Sequence, residues 1–239
     1  MTLNDPASVR REYASEERLA TRRSLWDSAD GPDPHAIALA ALAEVSPRRV
    51  LEVGPGPGEL AARMQHELGF EVVAVDSSPR MVELARGRGV DARLGDVQDL
   101  PFEDGSFDCA VAAWMLYHLP DLDRGLAELA RVLVPGGRLI AVTNGARNLH
   151  ELWDTLGPEA EREHPFSCED GAQALEQHFA RVETRDATGH VTIPTRAVAH
   201  RYVSASTTRS RLADRLPEDG WPLHATRTNC IFVADKDGA

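Results

Sequence analysis

Val50 to Glu59 reads VLEVGPGPGE, an apolar run interrupted by Gly54, Gly56 and Gly58. Glycine permits close backbone approach and left-handed dihedrals. A strand, a glycine turn and a helix bring backbone N–H groups and the positive end of a helix dipole to one spot. In an open α/β sheet that spot lies at the carboxyl edge of the strands, where ligands bind. The helix beyond the turn is marked by Leu60, Met64 and Leu68, which recur every four residues.

Outward from this turn the pattern alternates. Asp33 and Pro34 are placed to start a helix running to Val45, and Arg49 to Val53 is a short apolar strand. FEVVAVD is apolar on both faces, which suits a parallel strand covered on both sides. Met81, Leu84 and Ala85 mark a further helix, VDARLGD a third strand, and FDCAVAA the start of a fourth. Asp121 or Asp123 caps a helix carrying Leu122, Leu126, Leu129 and Leu133; VPGG stops it, and RLIAVTN is the fifth strand. This order specifies an α/β fold, a doubly wound, Rossmann-like sheet of about seven strands with helices on both faces.

The later chain is less regular. SCED, Ser167 to Asp170, has a capping-box pattern and predicts a helix through Phe179. ARVETRDA predicts a sixth strand, HVTIP a short one, Thr195 to Ser206 a helix with Val198 and Tyr202 on one face, and RTNCIFVADK the last strand. The expected organisation is a single domain over 1–239. It comprises a helical lid at 1–32, a ligand-binding core at 33–145, and a C-terminal half at 146–239 with a substrate-facing insertion.

Composition excludes several roles. The net charge of −12 opposes binding to nucleic acid or to an anionic membrane surface. No apolar run has the roughly 18 residues a membrane span needs, and the first twenty residues carry no apolar leader. Cys109, Cys168 and Cys230 are odd in number and widely separated, and are expected to be reduced thiols in a cytoplasmic protein. No Cys/His cluster has metal-ligand spacing, so no metal is expected.

What approaches the glycines is decided by their neighbours. A dinucleotide fingerprint needs its third glycine where Glu59 stands, and a glutamate there would repel a pyrophosphate. Glu52 precedes the turn, Asp76 ends the second strand, where an acid accepts from a ribose diol, and Asp96 ends the third. Three carboxylates suit a phosphate-free nucleoside bearing an ammonium group and a sulfonium.

Together LEVGPGPGEL, VVAVDSSPRMVELAR, ARLGDVQDLPFEDGSFDCAVAAWMLYHL and RLIAVTNG resemble the successive motifs of class I S-adenosylmethionine-dependent methyltransferases. The resemblance covers roughly Arg48 to Gly145. It implies a last strand lying antiparallel in the sheet, a place RTNCIFVADK can take. The cofactor would be S-adenosylmethionine, leaving S-adenosylhomocysteine. Gly54, Gly56 and Gly58 would pass beneath the methionyl part, and Glu52 would support the ammonium. Asp76 would take the ribose hydroxyls, with Ser77 beside it and Met81 against the adenine. Asp96 and the Val97 N–H would meet the adenine edge. Ala113 and Trp114 would line the methionyl end, and Tyr13 is a lid contact.

His118 is the candidate general base, with a packing role as its competitor. Trp26, Tyr117, Asn144 and Trp153 are candidate walls of a substrate pocket. The expected reaction is methyl transfer to O, N or C of a small molecule, in bacterial specialised metabolism, by a monomer or homodimer. A nicotinamide-dependent oxidoreductase and a non-catalytic binder of S-adenosylmethionine are the alternatives.

Overall fold

The computed structural model describes residue 4 and residues 21–22, 24–161, 164–206 and 208–238. Tyr13 and most of the expected lid lie outside the described residues.

Parallel strands buried on both faces account for the centre of the molecule. β1 (Arg49–Val53), β2 (Glu71–Asp76), β3 (Asp91–Leu94), β4 (Phe107–Ala113) and β5 (Leu133–Asn144) pair in parallel. With β6 (Arg181–Asp186) and β9 (Asn229–Asp235) they form a seven-stranded sheet of order β3-β2-β1-β4-β5-β9-β6. β9 runs antiparallel to both neighbours, as expected for the last strand.

The helices are started by local side chains. Asp33, Ser78, Asp121 and Thr195 each accept an N–H at the start of α1 (Pro34–Ala43), α3 (Pro79–Gly87), α4 (Leu122–Val132) and α7 (Arg196–Ser204). α2 (Glu59–Leu68) begins at Gly58. α1 and α2 pack one face of the sheet through Leu39, Leu42, Leu60 and Met64. α4 packs the opposite face through Leu126 and Leu129, with Phe166 and Phe232.

Several expectations are corrected. VPGG ends α4 but lies inside β5, as an excursion between the Phe107–Leu133 and Cys109–Arg138 pairs. The C-terminal chain satisfies its backbone: Gly136 N–H donates to Asp237 O and Lys236 N–H to Gly137 O. The helix after SCED is only α6 (Gly171–Leu175). Ser167 N–H and Oγ–H both donate to Asp170 Oδ1, which spends that carboxylate on the turn before the helix. In α7 the fully buried face is Ala199 and Val203, with Val198 and Tyr202 half-buried beside it.

The cysteine expectation is also overturned, because Cys168 and Cys230 are joined as a disulfide. β9 sets Cys230 opposite Thr143, while Cys168 N–H donates to Asn144 O, so distant segments meet at the end of β5. Cys109 is free and buried, and burial pushes its thiol up to about 12. Cysteine usage therefore gives no argument for a reducing compartment. Among the described residues, no helix is long and apolar enough to cross a membrane.

A second, smaller core stands apart. β7 (Gly189–Ile193) pairs with β8 (Leu223–Arg227), a strand not expected from the sequence, in a separate two-stranded sheet, and Ala29 bridges to its Val191. Around this pair, Leu25, Leu149, Leu152, Val203, Leu212 and Leu216 form their own apolar cluster with α5 (His150–Asp154) and α7.

Candidate cofactor and substrate site

The parallel register brings the expected cofactor residues to one edge. Val53 lies opposite both Val75 and Ala112, and Asp76 opposite Leu94. The segments after β1, β2, β3 and β4 therefore leave the sheet side by side, carrying the glycine turn, Asp76, Asp96 and Ala113.

Within the turn the glycines do different work. Gly54, Gly56 and Gly58 all have positive φ, at 62°, 56° and 82°. A Cβ on Gly58 would stand 2.7 Å from the Ala85 Cβ, so its bareness lets α3 pack beneath the turn. A Cβ on Gly56 would meet nothing within 4 Å, so the space above it is open. Gly56 N–H donates to Asp76 Oδ2 at 3.2 Å, and Ser78 N–H to Asp76 Oδ1 at 2.8 Å. Asp76 thus joins the glycine turn to the end of β2. Burial raises its carboxyl above the ordinary value, and the N–H groups of Ser78, Gly56 and Ser77 offset part of that.

Glu52 lies behind the turn, 2 % exposed. Its Oε2 has no hydrogen-bond partner. Burial, then the neighbouring Asp76 charge, pushes its carboxyl up to about 8, against a lowering by the Ala61 N–H. A buried acceptor without a donor is costly, and a ligand ammonium would supply the donor. The residues present therefore fit a nucleoside with a cationic end.

Asp96 is exposed and accepts from Gln98 N–H at 2.9 Å, leaving it on the open rim. Ser77 is exposed, whereas Val97 and Met81 are buried at 6 % and 1 %. Met81 thus presents almost no exposed surface. Glu59 also differs from expectation, being drawn to Arg88, whose Nη1–H donates to Pro57 O. The charge argument against a pyrophosphate accordingly falls to Asp76 and Asp96.

The candidate substrate residues are not brought to one place. Trp114 turns the chain after β4 with φ 53°, a conformation unfavourable for a bulky residue. Its indole packs toward α1, 4.8 Å from the His35 ring. Tyr117 and His118 meet edge-on, ring centroids 4.5 Å apart, in a short 3-10 turn, with Tyr117 against the α4 face. Trp26 and Trp153 meet Tyr202 in the smaller core, at 6.3 and 5.9 Å. Asn144 Oδ1 accepts from the buried Asn229 Nδ2 at 2.7 Å.

His35, Arg209 and Asn229 were not singled out by sequence. The Arg209 guanidinium lies 3.8 Å from the Trp153 ring centroid. Only Asn229 had a usable signal, a polar residue opening an apolar strand. Among the described residues, no group of three or more His, Cys, Asp or Glu is arranged to hold a metal ion.

Residues 51–141 match the model of a methyltransferase domain family. The matched segment holds Glu52, the glycine turn, Asp76, Asp96 and Trp114. That segment is similar to a methyltransferase domain, in line with the motif resemblance. The chain is 38 % identical over 153 residues to a ubiquinone biosynthesis O-methyltransferase of Xanthomonas oryzae pv. oryzae, covering 58 % of this chain and 64 % of the relative. The match thus spans a little under two thirds of that relative's length. The YcgJ protein from Bacillus subtilis superposes with a TM-score of 0.63 at 20 % identity, over 86 % of this chain and all of that one. The [4+2]-cyclase SpnF superposes with a TM-score of 0.63 at 17 % identity, over 98 % and 96 %. The chain therefore shares its fold with a protein described as a cyclase, and the fold alone does not decide the reaction.

Proposed function

We propose that the chain binds S-adenosylmethionine at the carboxyl edge of β1 to β4 and transfers its methyl group to a small-molecule acceptor at O, N or C. The observation that carries this reading is the carboxylate ring around an open glycine turn: Glu52 with an unpartnered Oε2, Asp76 on the Gly56 N–H, and Asp96 on the rim. The Asp76 and Asp96 charges disfavour a phosphate, and a cationic group reaching Glu52 would gain a third carboxylate, which favours a cationic nucleoside. In this reading the O-methyltransferase relative supports a small acceptor; specialised bacterial metabolism is our proposed setting.

The bound cofactor supplies a methyl group already activated on a sulfonium. The remaining tasks belong to the chain. Glu52 holds the ammonium end, Asp76 holds the ribose and keeps the Gly56 N–H in place, and Asp96 with the Val97 N–H holds the adenine edge. Ala113 and Trp114 bound the methionyl end, and Tyr13 contributes to a lid. Orienting two reactants in line supplies roughly 7–11 kcal/mol of a barrier, so positioning can carry most of the catalysis. His118 becomes the base where the acceptor must lose a proton. Trp26, Tyr117, Asn144 and Trp153 belong to the acceptor side.

S-adenosylhomocysteine is expected to raise the melting temperature of the full chain, and NADH to leave it unchanged. The reverse result would transfer the chain to the nicotinamide class. Incubation with labelled S-adenosylmethionine and a panel of small phenols, amines and quinols then separates an enzyme from a non-catalytic binder. Asp76→Ala removes the acceptor for two N–H groups as well as the ribose contact. It is expected to weaken S-adenosylhomocysteine binding by about 1–3 kcal/mol in calorimetry, and unchanged affinity would refute the ribose assignment.

A further inference from the structure

Among the described residues, no cation is paired with Glu52, and the charge acting on it is that of Asp76. On β1 it is flanked by Ala74 of β2 and Val111 of β4. Asp76, two residues beyond Ala74, shares its face of the sheet. α2 contributes the Ala61 N–H; of its titratable side chains, Glu59 pairs with Arg88, Arg63 with Glu67, and His66 is exposed. At the start of α1, His35 lies 3.5 Å from Asp33. The charge acting on Glu52 is thus a second carboxylate, in a place closed to water. A neutral acid is far cheaper there than an ion, and Glu52 keeps its proton until about pH 8.

We propose that docking of the cofactor's α-ammonium group at Glu52 expels the carboxyl proton, so that binding is an exchange of one cation for another. The O–H bond of Glu52 breaks, the proton goes to solvent, and a carboxylate–ammonium pair remains. No electrons move and no covalent bond forms. The inference rests on the proposed function, since it needs a ligand with an amino-acid end. It adds that affinity is coupled to pH through that end alone.

Titration calorimetry of the full chain at pH 7, in two buffers of different ionisation enthalpy, counts the released proton. S-adenosylhomocysteine is expected to release about 0.9 proton, the protonated share of Glu52 at that pH. 5′-Methylthioadenosine, which lacks the amino-acid end, is expected to release close to none. Between pH 6 and 7.5 the affinity for S-adenosylhomocysteine should rise roughly tenfold per pH unit, while that for methylthioadenosine stays level. Glu52→Gln should abolish the release. Binding of S-adenosylhomocysteine with no proton change, equal release with both ligands, or unchanged release from the variant would each overturn the exchange and leave the proposed function standing. Failure of S-adenosylhomocysteine to bind at any pH would instead overturn the proposed function. Should Glu52→Gln not fold, the two-ligand comparison on the native chain decides alone.

Discussion

Gly58→Ala is expected to destabilise the chain by roughly 2–4 kcal/mol, whereas Gly56→Ala should cost only about 1 kcal/mol and yet impair cofactor binding more than tenfold. Both residues have positive φ, so both substitutions carry the left-handed penalty. Only at Gly58 does the new methyl also strike a packed neighbour, the Cβ of Ala85 at 2.7 Å and its Cα at 2.9 Å. That neighbour belongs to α3, which cannot retreat without opening the core around Val82 and Val90. At Gly56 the methyl enters open space, and that is the space proposed for the ligand. Chemical denaturation and calorimetry with S-adenosylhomocysteine separate the two. Equal destabilisation would mean that Gly56 is as structural as Gly58, and unchanged binding by Gly56→Ala would remove the ligand from the turn.

Glu52→Gln should give the opposite kind of result, a more stable protein that binds less well. The folded carboxyl titrates near 8, against an ordinary value of 4.5. From about pH 4.5 to 8 the unfolded chain releases this proton and the folded chain retains it. Stability therefore falls as pH rises through that window. Glutamine has the shape of the neutral acid and never ionises, so the variant escapes the loss. The gain at pH 7 is on the order of 3 kcal/mol in the free protein. Melting curves from pH 5 to 8 should show the native chain declining relative to the variant. Parallel curves would mean that Glu52 is ionised in the folded state. A site that destabilises its own scaffold and recovers stability on binding is the expected signature of function over fold.

β1, β2 and β4 could be read closely from sequence because their apolar runs are buried, whereas β3 is mostly exposed. The caps at Asp33 and Asp121 were readable because a cap uses residues three apart at most. The glycine turn combined both kinds of signal. What escaped depends on chain segments meeting from afar. The VPGG excursion is held by Lys236 and Asp237, Cys168 finds Cys230 through β9, and Asp170 is engaged by Ser167 instead of opening a long helix. β8 alternates too weakly to be seen without β7. At the candidate site, sequence placed the acids and glycines, but it could not separate Trp114 from Tyr117 and His118. A single left-handed residue decides which side of the sheet each one joins.

The two cores have a consequence for how such a chain changes over time. The family match, residues 51–141, falls on the sheet half and leaves the cluster around β7 and β8 outside it. Because that cluster is packed by its own residues, replacing its aromatic lining leaves the strands that carry the glycine turn undisturbed. New acceptors can then be tried by altering one module while the donor-handling module is inherited intact. Divergence should accumulate unevenly, fast above the β7–β8 pair and slow along β1 to β4.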